Sequence, residues 1–419
     1  MTNMRAAEKA LDLHITIAGT EPEIWRDVRV PAAITLTDLH KVIQRAFGWD
    51  NRHLHMFESS NAAGQERRFA SNEETIMELE TEPAAVFTLE DVFTSRGTRL
   101  VYEYDFGDTW QHEISISGHA VAPAGQLSCL AGANRGPVED SGGTGGYREL
   151  CGILLDPSHE RHDDLAKWYS WVTNKPAAEF DPQEFDLEKC NRSLARLSPQ
   201  LGDATPTPEE MAAVVLPAKW LLQRVGADGL ELTKDGYLKP AVVAEAMTTL
   251  GWEKRWYGKF NRESQTLPVL ELRSTLQDWG LLRKFKGKLV RTPAGRKTYD
   301  DDVRLWGYLA DRFAHPRDSG EAEVRRRLVD WLLEDRVPPH NMLGQAVADS
   351  LMSAGFRAAD GAGITDAQGM YLFIEARRTL ATLGVFEEED FLDSPPLASE
   401  AGLKFLLEVQ RRQNEQHED

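Results

Sequence analysis

Apolar and polar residues alternate over positions 11–17, with Leu11, Leu13, Ile15 and Ile17 on one side and Asp12, His14 and Thr16 on the other. A period of two predicts a half-buried strand. Ile24, Val28 and Val30 continue the pattern over 24–30, and the Gly19-Thr20-Glu21-Pro22 turn predicts a hairpin. The period then changes. Thr37 opens a run in which Leu39, Val42, Ile43 and Ala46 fall at helical spacing, and Gly48 ends it. Residues 53–57, 99–106 and 112–117 return to strand patterning, the last two joined through Gly107-Asp108. These elements predict an α+β domain over residues 1–197.

Residues 123–146 are rich in Gly and Pro and predict a long ordered loop, a length that in compact domains is usually functional. A short helix is expected at 147–155. Residues 198–208 hold Pro199, Pro206 and Pro208 and predict a linker.

Beyond it the pattern repeats. Lys219-Trp220-Leu221-Leu222 returns as Asp330-Trp331-Leu332-Leu333, and Val243-Ala244-Glu245 as Val347-Ala348-Asp349. Gly251-Trp252 returns as Gly355-Phe356, Trp279-Gly280-Leu281 as Leu383-Gly384-Val385, and Thr292-Pro293-Ala294-Gly295 loosely as 397–402. Each copy reads as helices, a Gly-Leu turn, a short hairpin and a helix. The expected architecture is therefore a mainly α C-terminal half resembling tandem winged helix-turn-helix units, over 209–305 and, more diverged, 306–419. In the first unit residues 271–279 would form the recognition-like helix. Residues 281–285 and 288–292 would form the wing, with Lys286-Gly287 at its tip.

The chain has 419 residues and a formal net charge of -19. That length allows two or three domains, each with its own core. The acidic balance disfavours a protein that coats nucleic acid with its whole surface, but leaves room for a local basic patch. Three cysteines, Cys129, Cys151 and Cys190, form no CxxC pair and no even framework, which suggests a reducing compartment. The charged first ten residues do not read as a signal peptide, and no run approaches the roughly 18 apolar residues of a membrane helix. A cytoplasmic location without membrane contact is expected.

The motifs of the first half carry a resemblance. In order they are Pro22-Glu23-Ile24-Trp25-Arg26, Leu36-Thr37-Asp38-Leu39-His40, Phe47-Gly48-Trp49 and His53-Leu54-His55-Met56-Phe57. Tyr104-Asp105-Phe106-Gly107-Asp108-Thr109-Trp110-Gln111-His112, Glu139-Asp140, Gly142-Gly143, Gly146-Tyr147, Phe180-Asp181-Pro182 and Phe185-Asp186-Leu187 follow. Over about 11–197 the series resembles the plasmid pRiA4b ORF-3-like family, also described as passenger proteins of insertion elements. The resemblance implies an origin on plasmids or beside transposable elements. No serine sits in a setting that reads as a recombinase nucleophile. Where the family commonly has Cys-Pro-Pro-Glu-Asp-Cys-Gly-Gly, this chain has Gly136-Pro137-Val138-Glu139-Asp140-Ser141-Gly142-Gly143. Two of the family's thiols are thus absent, and with them most of any soft-metal site that relatives hold.

Four groups could carry chemistry. Asp105, Asp108, His112, Glu139 and Asp140, with His53 and His55, could ligate a divalent metal; the ordinary alternative is that the aspartates fix a turn and His112 sits in the core. His159 and His162 lie three apart and could share a helix face, or simply open a solvated helix. Arg283, Lys284, Lys286, Lys288 and Arg291, followed by Arg296 and Lys297, form a basic wing without acidic residues, suited to phosphates, with Phe285 to pack or touch sugar. Ordinary surface charge is the plain alternative. The Gly142–Gly146 run lacks the ending of a P-loop and reads as a turn. Trp25, Trp49, Trp110, Trp168 and Trp171 are expected in the core or at an interface.

No catalysed reaction is identified. Three roles follow: an accessory or regulatory protein of mobile-element origin that contacts double-stranded DNA through the wing, a metal-binding domain or metal-dependent enzyme, or a protein-interaction module. In the last, the acidic Glu387-Glu388-Glu389-Asp390 of the second copy would face a protein partner.

Overall fold

The computed structural model describes residues 7–61, 65–93, 98–173, 175–201, 204–255, 258–334, 337–338, 340–386 and 398–415. The chain divides into two compact units at Ala204/Thr205.

The first unit is α+β. Its strands are β1 (Ala7–Ile17), β2 (Trp25–Pro31), β3 (His55–Ser60), β4 (Glu66–Ala70), β5 (Glu82–Pro83), β6 (Arg99–Tyr104), β7 (Trp110–Pro123) and β8 (Ser128–Ala133). They form one eight-stranded sheet in the order β5-β4-β3-β6-β7-β1-β2-β8, antiparallel except at β4/β5. Leu11, Leu13, Ile15 and Ile17 are all buried, as the period of two requires. Helices α1 (Leu36–Phe47), α2 (Glu73–Glu78), α3 (Leu89–Val92), α4 (Gly143–Leu154), α5 (His162–Thr173), α6 (Leu187–Ala195) and α7 (Ser198–Leu201) complete the unit. α1 buries Leu39, Val42, Ile43 and Ala46 in the same core as β1. Its cap is Thr35, whose side chain accepts from the Asp38 N–H, two residues before the expected start.

The 123–146 segment is not one loop. Residues 128–133 pair with β2, and α4 already begins at Gly143 within the glycine run. Small residues in SCLAGA and GTGG carry neither strand nor helix signal, and the neighbouring backbone supplies what the side chains do not. β7 likewise runs past Ser117 to Pro123, because β1 offers partners as far as Ala7. The expected linker begins with α7, and Thr207 is already the cap of the next helix. His159 precedes α5 rather than sharing its face with His162. Trp171 is 62 % exposed, unlike the core tryptophans Trp49 and Trp110.

The second unit is mainly helical. It comprises α8 (Pro208–Val225), β9 (Leu230–Glu231), α9 (Pro240–Thr249), α10 (Leu267–Asp278), β10 (Leu282–Phe285), β11 (Lys288–Arg291) and α11 (Pro293–Thr298). Then come α12 (Asp302–Ala314), α13 (Ser319–Glu334), α14 (His340–Ser353), α15 (Asp366–Ala381) and α16 (Glu400–Glu415). The three strands form a small sheet in the order β10-β11-β9.

The repeated sequence has a geometric counterpart. Gly251 and Gly355 both have positive φ, as do Gly280 and Gly384. Thr292 N donates to Leu281 O at 3.0 Å and Ser399 N to Val385 O at 3.0 Å. The Thr292 hydroxyl accepts from Gly295 N and the Ser399 hydroxyl from Gly402 N. Where the second hairpin is expected, Phe386 bridges Ala398; the residues between them, 387–397, which include the acidic segment, lie outside the described residues.

One hydrophobic core runs from Val214 to Val409 and joins both copies. The boundary expected at 305/306 is therefore crossed by packing: α12 and α16 both lie against α8, and Lys404 pairs with Glu210 at 2.8 Å. Among the described residues no helix is long and apolar enough to cross a membrane.

Candidate functional site

Motifs far apart in the first half converge at one end of the strands, where β2, β3 and β7 begin and β6 and β8 finish. Arg26 is buried and donates to the carbonyls of Trp25, Ala46, Ala133 and Asn134, tying the end of α1 to β2 and β8. Burial lowers its pKa to about 10. Its guanidinium lies over Phe47 and Phe185, 5.0 and 4.3 Å from the ring centres. Just past α1, Trp49 stacks on Tyr104 and donates its indole N–H to Pro137 O at 2.8 Å. This holds the 136–140 segment against the turn after β6.

Loop 49–53 is fixed from below by a closed ring of hydrogen bonds. Asn51 N donates to Gln44 Oε1, Gln44 Nε2 donates to the Tyr102 hydroxyl, and that hydroxyl meets His40 Nδ1 at 2.8 Å. His40 Nε2 closes the ring on Asn51 Oδ1 at 3.0 Å. With Gln44 donating, the Tyr102 hydroxyl donates to His40, so His40 carries its proton on Nε2. His55 stacks on His40 at 3.5 Å, and burial pushes it down to about 4.

His53, Asp105, Glu139 and Asp140 meet at the rim. His53 Nε2 is 3.1 Å from Asp140 Oδ1, 3.5 Å from Asp105 Oδ2 and 3.6 Å from Glu139 Oε2. The Nε2 atom is buried, yet none of these contacts has hydrogen-bond geometry. The carboxylates divide their oxygens. Asp105 Oδ1 accepts from Gly107 N and Asp108 N, leaving Oδ2 toward His53. Glu139 Oε1 accepts from Asp50 N at 2.8 Å, and the Tyr104 hydroxyl donates to both of its oxygens, at 3.0 Å to Oε1 and 3.2 Å to Oε2, the oxygen that faces His53. Tyr104 in turn accepts from Arg52 N. Burial raises the Glu139 pKa, and the hydrogen bonds from Asp50 and Tyr104 oppose that rise. Asp105 and Asp140 both adopt positive φ, 58° and 57°, and Thr109 does so at 56°. Local strain of this kind collects at functional sites.

His53 Nε2 and one oxygen each from Asp105 and Asp140 lie within 4.8 Å of one another, a spacing that three ligands of one cation can adopt. Of the residues singled out in the sequence, Asp105, Glu139 and Asp140 come together. Asp108 spends Oδ2 on Gly142 N. His112 lies apart, fully buried beneath Phe47 and Trp49, with Nδ1 at 3.1 and 3.2 Å from the carbonyls of Trp110 and Tyr102. Burial pushes its pKa down to about 3. Its place is inward because it alternates with exposed Gln111 and Glu113 on β7. In the sequence His53 accompanies this set only together with His55, and nothing in the motif His53-Leu54-His55-Met56-Phe57 marks which histidine faces the carboxylates.

In the second unit β10 and β11 form the expected hairpin, with Lys286 and Gly287 at its tip, both at positive φ. Arg283, Lys284 and Lys286 are exposed and, with Lys288 and Arg291, form no ion pair among the described residues. Lys288 donates to Asp228 O, while Arg291 donates to Gly226 O and lies over Tyr299. Elsewhere in the unit Lys219, Arg224 and Lys239 are paired with Asp302, Glu245 and Glu231.

Comparison with known proteins agrees with the motif series. The model of the plasmid pRiA4b ORF-3-like protein family matches residues 9–189, and that of the Y4jL N-terminal domain matches residues 210–304. The uncharacterized protein y4hQ of Sinorhizobium fredii (strain NBRC 101917 / NGR234) is 32% identical over 188 residues, 44% of this chain and 91% of the relative. A crystal structure of a protein of unknown function from Methanosarcina mazei Go1 is 33% identical, covering 43% of this chain and 97% of that one, with a TM-score of 0.38. With the family's motifs gathered around one site, and a relative matched over nearly its whole length, the chain belongs to the plasmid pRiA4b ORF-3-like family.

Proposed function

We propose that the first unit is a divalent-cation-binding domain whose ligands are His53, Asp105 and Asp140, with Glu139 behind them. The observation that carries this reading is the buried His53 Nε2, which lacks a hydrogen-bond partner among the described residues while three carboxylate oxygens converge on it. Three carboxylates about one imidazole leave negative charge that a cation would neutralise. One nitrogen with oxygen donors suits a borderline ion such as Zn²⁺ or Mn²⁺ better than a soft one. The lost family thiols at Gly136 and Ser141 are consistent with such a hard-leaning set. Three protein ligands would leave positions for water or a small ligand.

Chelator-treated protein titrated with Mn²⁺ and Zn²⁺ tests this. At a metal concentration a hundredfold above Kd, binding to the folded state stabilises by about 2.7 kcal/mol. For a unit of this size that raises Tm by roughly 5–10 °C. His53→Ala should abolish the rise. A wild-type Tm that responds to neither ion, with no metal found by elemental analysis, overturns the reading.

A second reading concerns the other unit. The order α8, β9, α9, α10, β10, β11, α11 is compatible with a winged helix, and we propose that the hairpin is its wing, contacting nucleic acid. The observation favouring it is the set of exposed cations, Arg283, Lys284 and Lys286, that form no ion pair among the described residues, in a chain of net charge -19. An accessory role on a mobile element is the setting that the family's name suggests. The three free thiols fit a reducing compartment such as the cytoplasm. Binding that weakens as salt rises, and that is lost on changing Lys284, Lys286 and Lys288 to glutamate, is expected. Salt-independent or absent binding overturns it.

A further inference from the structure

We infer that the hairpin takes single-stranded nucleic acid, independent of sequence, with Phe285 as a stacking platform and Arg283, Lys284 and Lys286 on the phosphates. The inference rests on the wing reading above and concerns which form of nucleic acid the wing accepts.

The argument begins with the helix that would otherwise enter a major groove. α10 carries a single cation, Arg273, which is buried and spent on Glu263 and Gln277. Its other charged residues are Glu271 and Asp278, which a duplex would repel. α15 packs against α10 within the same core, and Arg378 reaches Glu271 at 3.8 Å. A helix so charged and so covered does not read base edges, which requires exposed polar side chains projecting into the groove. The sequence-based expectation of a recognition helix at 271–279 therefore gives way to contact by the hairpin alone.

The hairpin has features that duplex binding does not need. β10 is the edge of its sheet, and Arg283, Lys284 and Phe285 are all exposed along it. Lysines on an edge strand can serve merely to prevent aggregation. An exposed aromatic defeats that purpose, and Phe285 is 47 % exposed. Its ring has the Arg283 guanidinium 5.0 Å and the Lys286 ammonium 5.3 Å from its centre. Two cations over a half-exposed ring on an edge strand bring together the charge that tracks a backbone and an aromatic face that an unpaired base takes by displacing a side chain. In a duplex the bases are stacked on each other and no ring can use this face.

Full-length protein should be titrated with a labelled mixed-sequence oligonucleotide, single-stranded and annealed to its complement, at several salt concentrations. Tighter binding of the single strand is expected. Phe285→Leu should weaken it roughly 5- to 100-fold, the range for loss of one stacked base, and leave duplex binding unchanged. Phe285→Trp should retain it. The Lys284→Glu/Lys286→Glu variant should weaken both forms and flatten the salt dependence. A duplex bound as tightly as the single strand, or a Phe285→Leu variant indistinguishable from wild type, overturns this inference while the wing reading stands. Binding of neither form overturns the wing reading itself.

Discussion

At the scale of single residues, small differences in placement decide large effects. A Cβ on Gly136 would lie 1.8 Å from Phe47 O, at the end of α1. Gly136→Ala should therefore cost about 3 kcal/mol in urea denaturation, the upper range for overpacking. The same contact means that a family-type cysteine at 136 needs another path for the chain. Asp140 is a different case. It is half exposed and adds charge beside Asp105 and Glu139. Asp140→Asn should leave the metal-free Tm unchanged or higher while reducing the Mn²⁺-induced rise; a fall in metal-free Tm would make Asp140 structural. Two histidines, His112 fully buried and His55 half-buried with its Nε2 enclosed, contribute to the acid response. His55 and His112 titrate near 4 and 3 in the fold, below about 6.5 for an unfolded histidine. The unfolded chain takes up their protons first, so stability falls as pH drops from about 6.5, by roughly 1 kcal/mol per pH unit for each histidine. Glu139, with its raised pKa, acts in the opposite sense, adding stability at low pH that is lost as pH rises. Urea midpoints between pH 6.5 and 5.5 should therefore decline, and a flat profile there would contradict the buried, neutral assignment. Asp105, Glu139 and Asp140 were legible as a chemical set because their motifs are rich in carboxylates. His53 and His112 were not separable by type; their positions in loop and strand assigned one to the rim and the other to the core.

At the scale of elements, alternation and helical spacing located β1, β2, α1, β6 and the β10–β11 hairpin to within a few residues. β8 and the start of α4 escaped, because Gly, Ala and Ser contribute no periodic apolar signal. The repeat in the second half supports a paired experiment. A Cβ at Gly295 would lie 2.3 Å from Leu281 O, and one at Gly402 would lie 2.0 Å from Val385 O. Both glycines let a helix start lie against the backbone that follows the Gly280 and Gly384 turns. Gly295→Ala and Gly402→Ala should each destabilise the second unit by about 2–3 kcal/mol. A large effect at one and none at the other would show that the two copies no longer share this packing.

At the scale of the whole molecule, the two units have separate cores, so each should unfold cooperatively when produced alone as 1–204 or 205–419. A fragment ending at 305 should not. It would strip α12 and α16 from α8, exposing Val214, Ala218 and Leu221, and should aggregate or bind a hydrophobic dye. A sharp melt for 205–305 would instead restore an independent first repeat. The α+β class of the first unit, the family, the basic hairpin and the repeated pattern of the second half were readable along the chain, because periodicity, motif order and charge contrast are local properties. Which histidine faces the carboxylates, the single core shared by the copies, and the packing of α15 on α10 emerge only on folding. Those depend on contacts between residues distant in the chain, which no local pattern of side chains encodes.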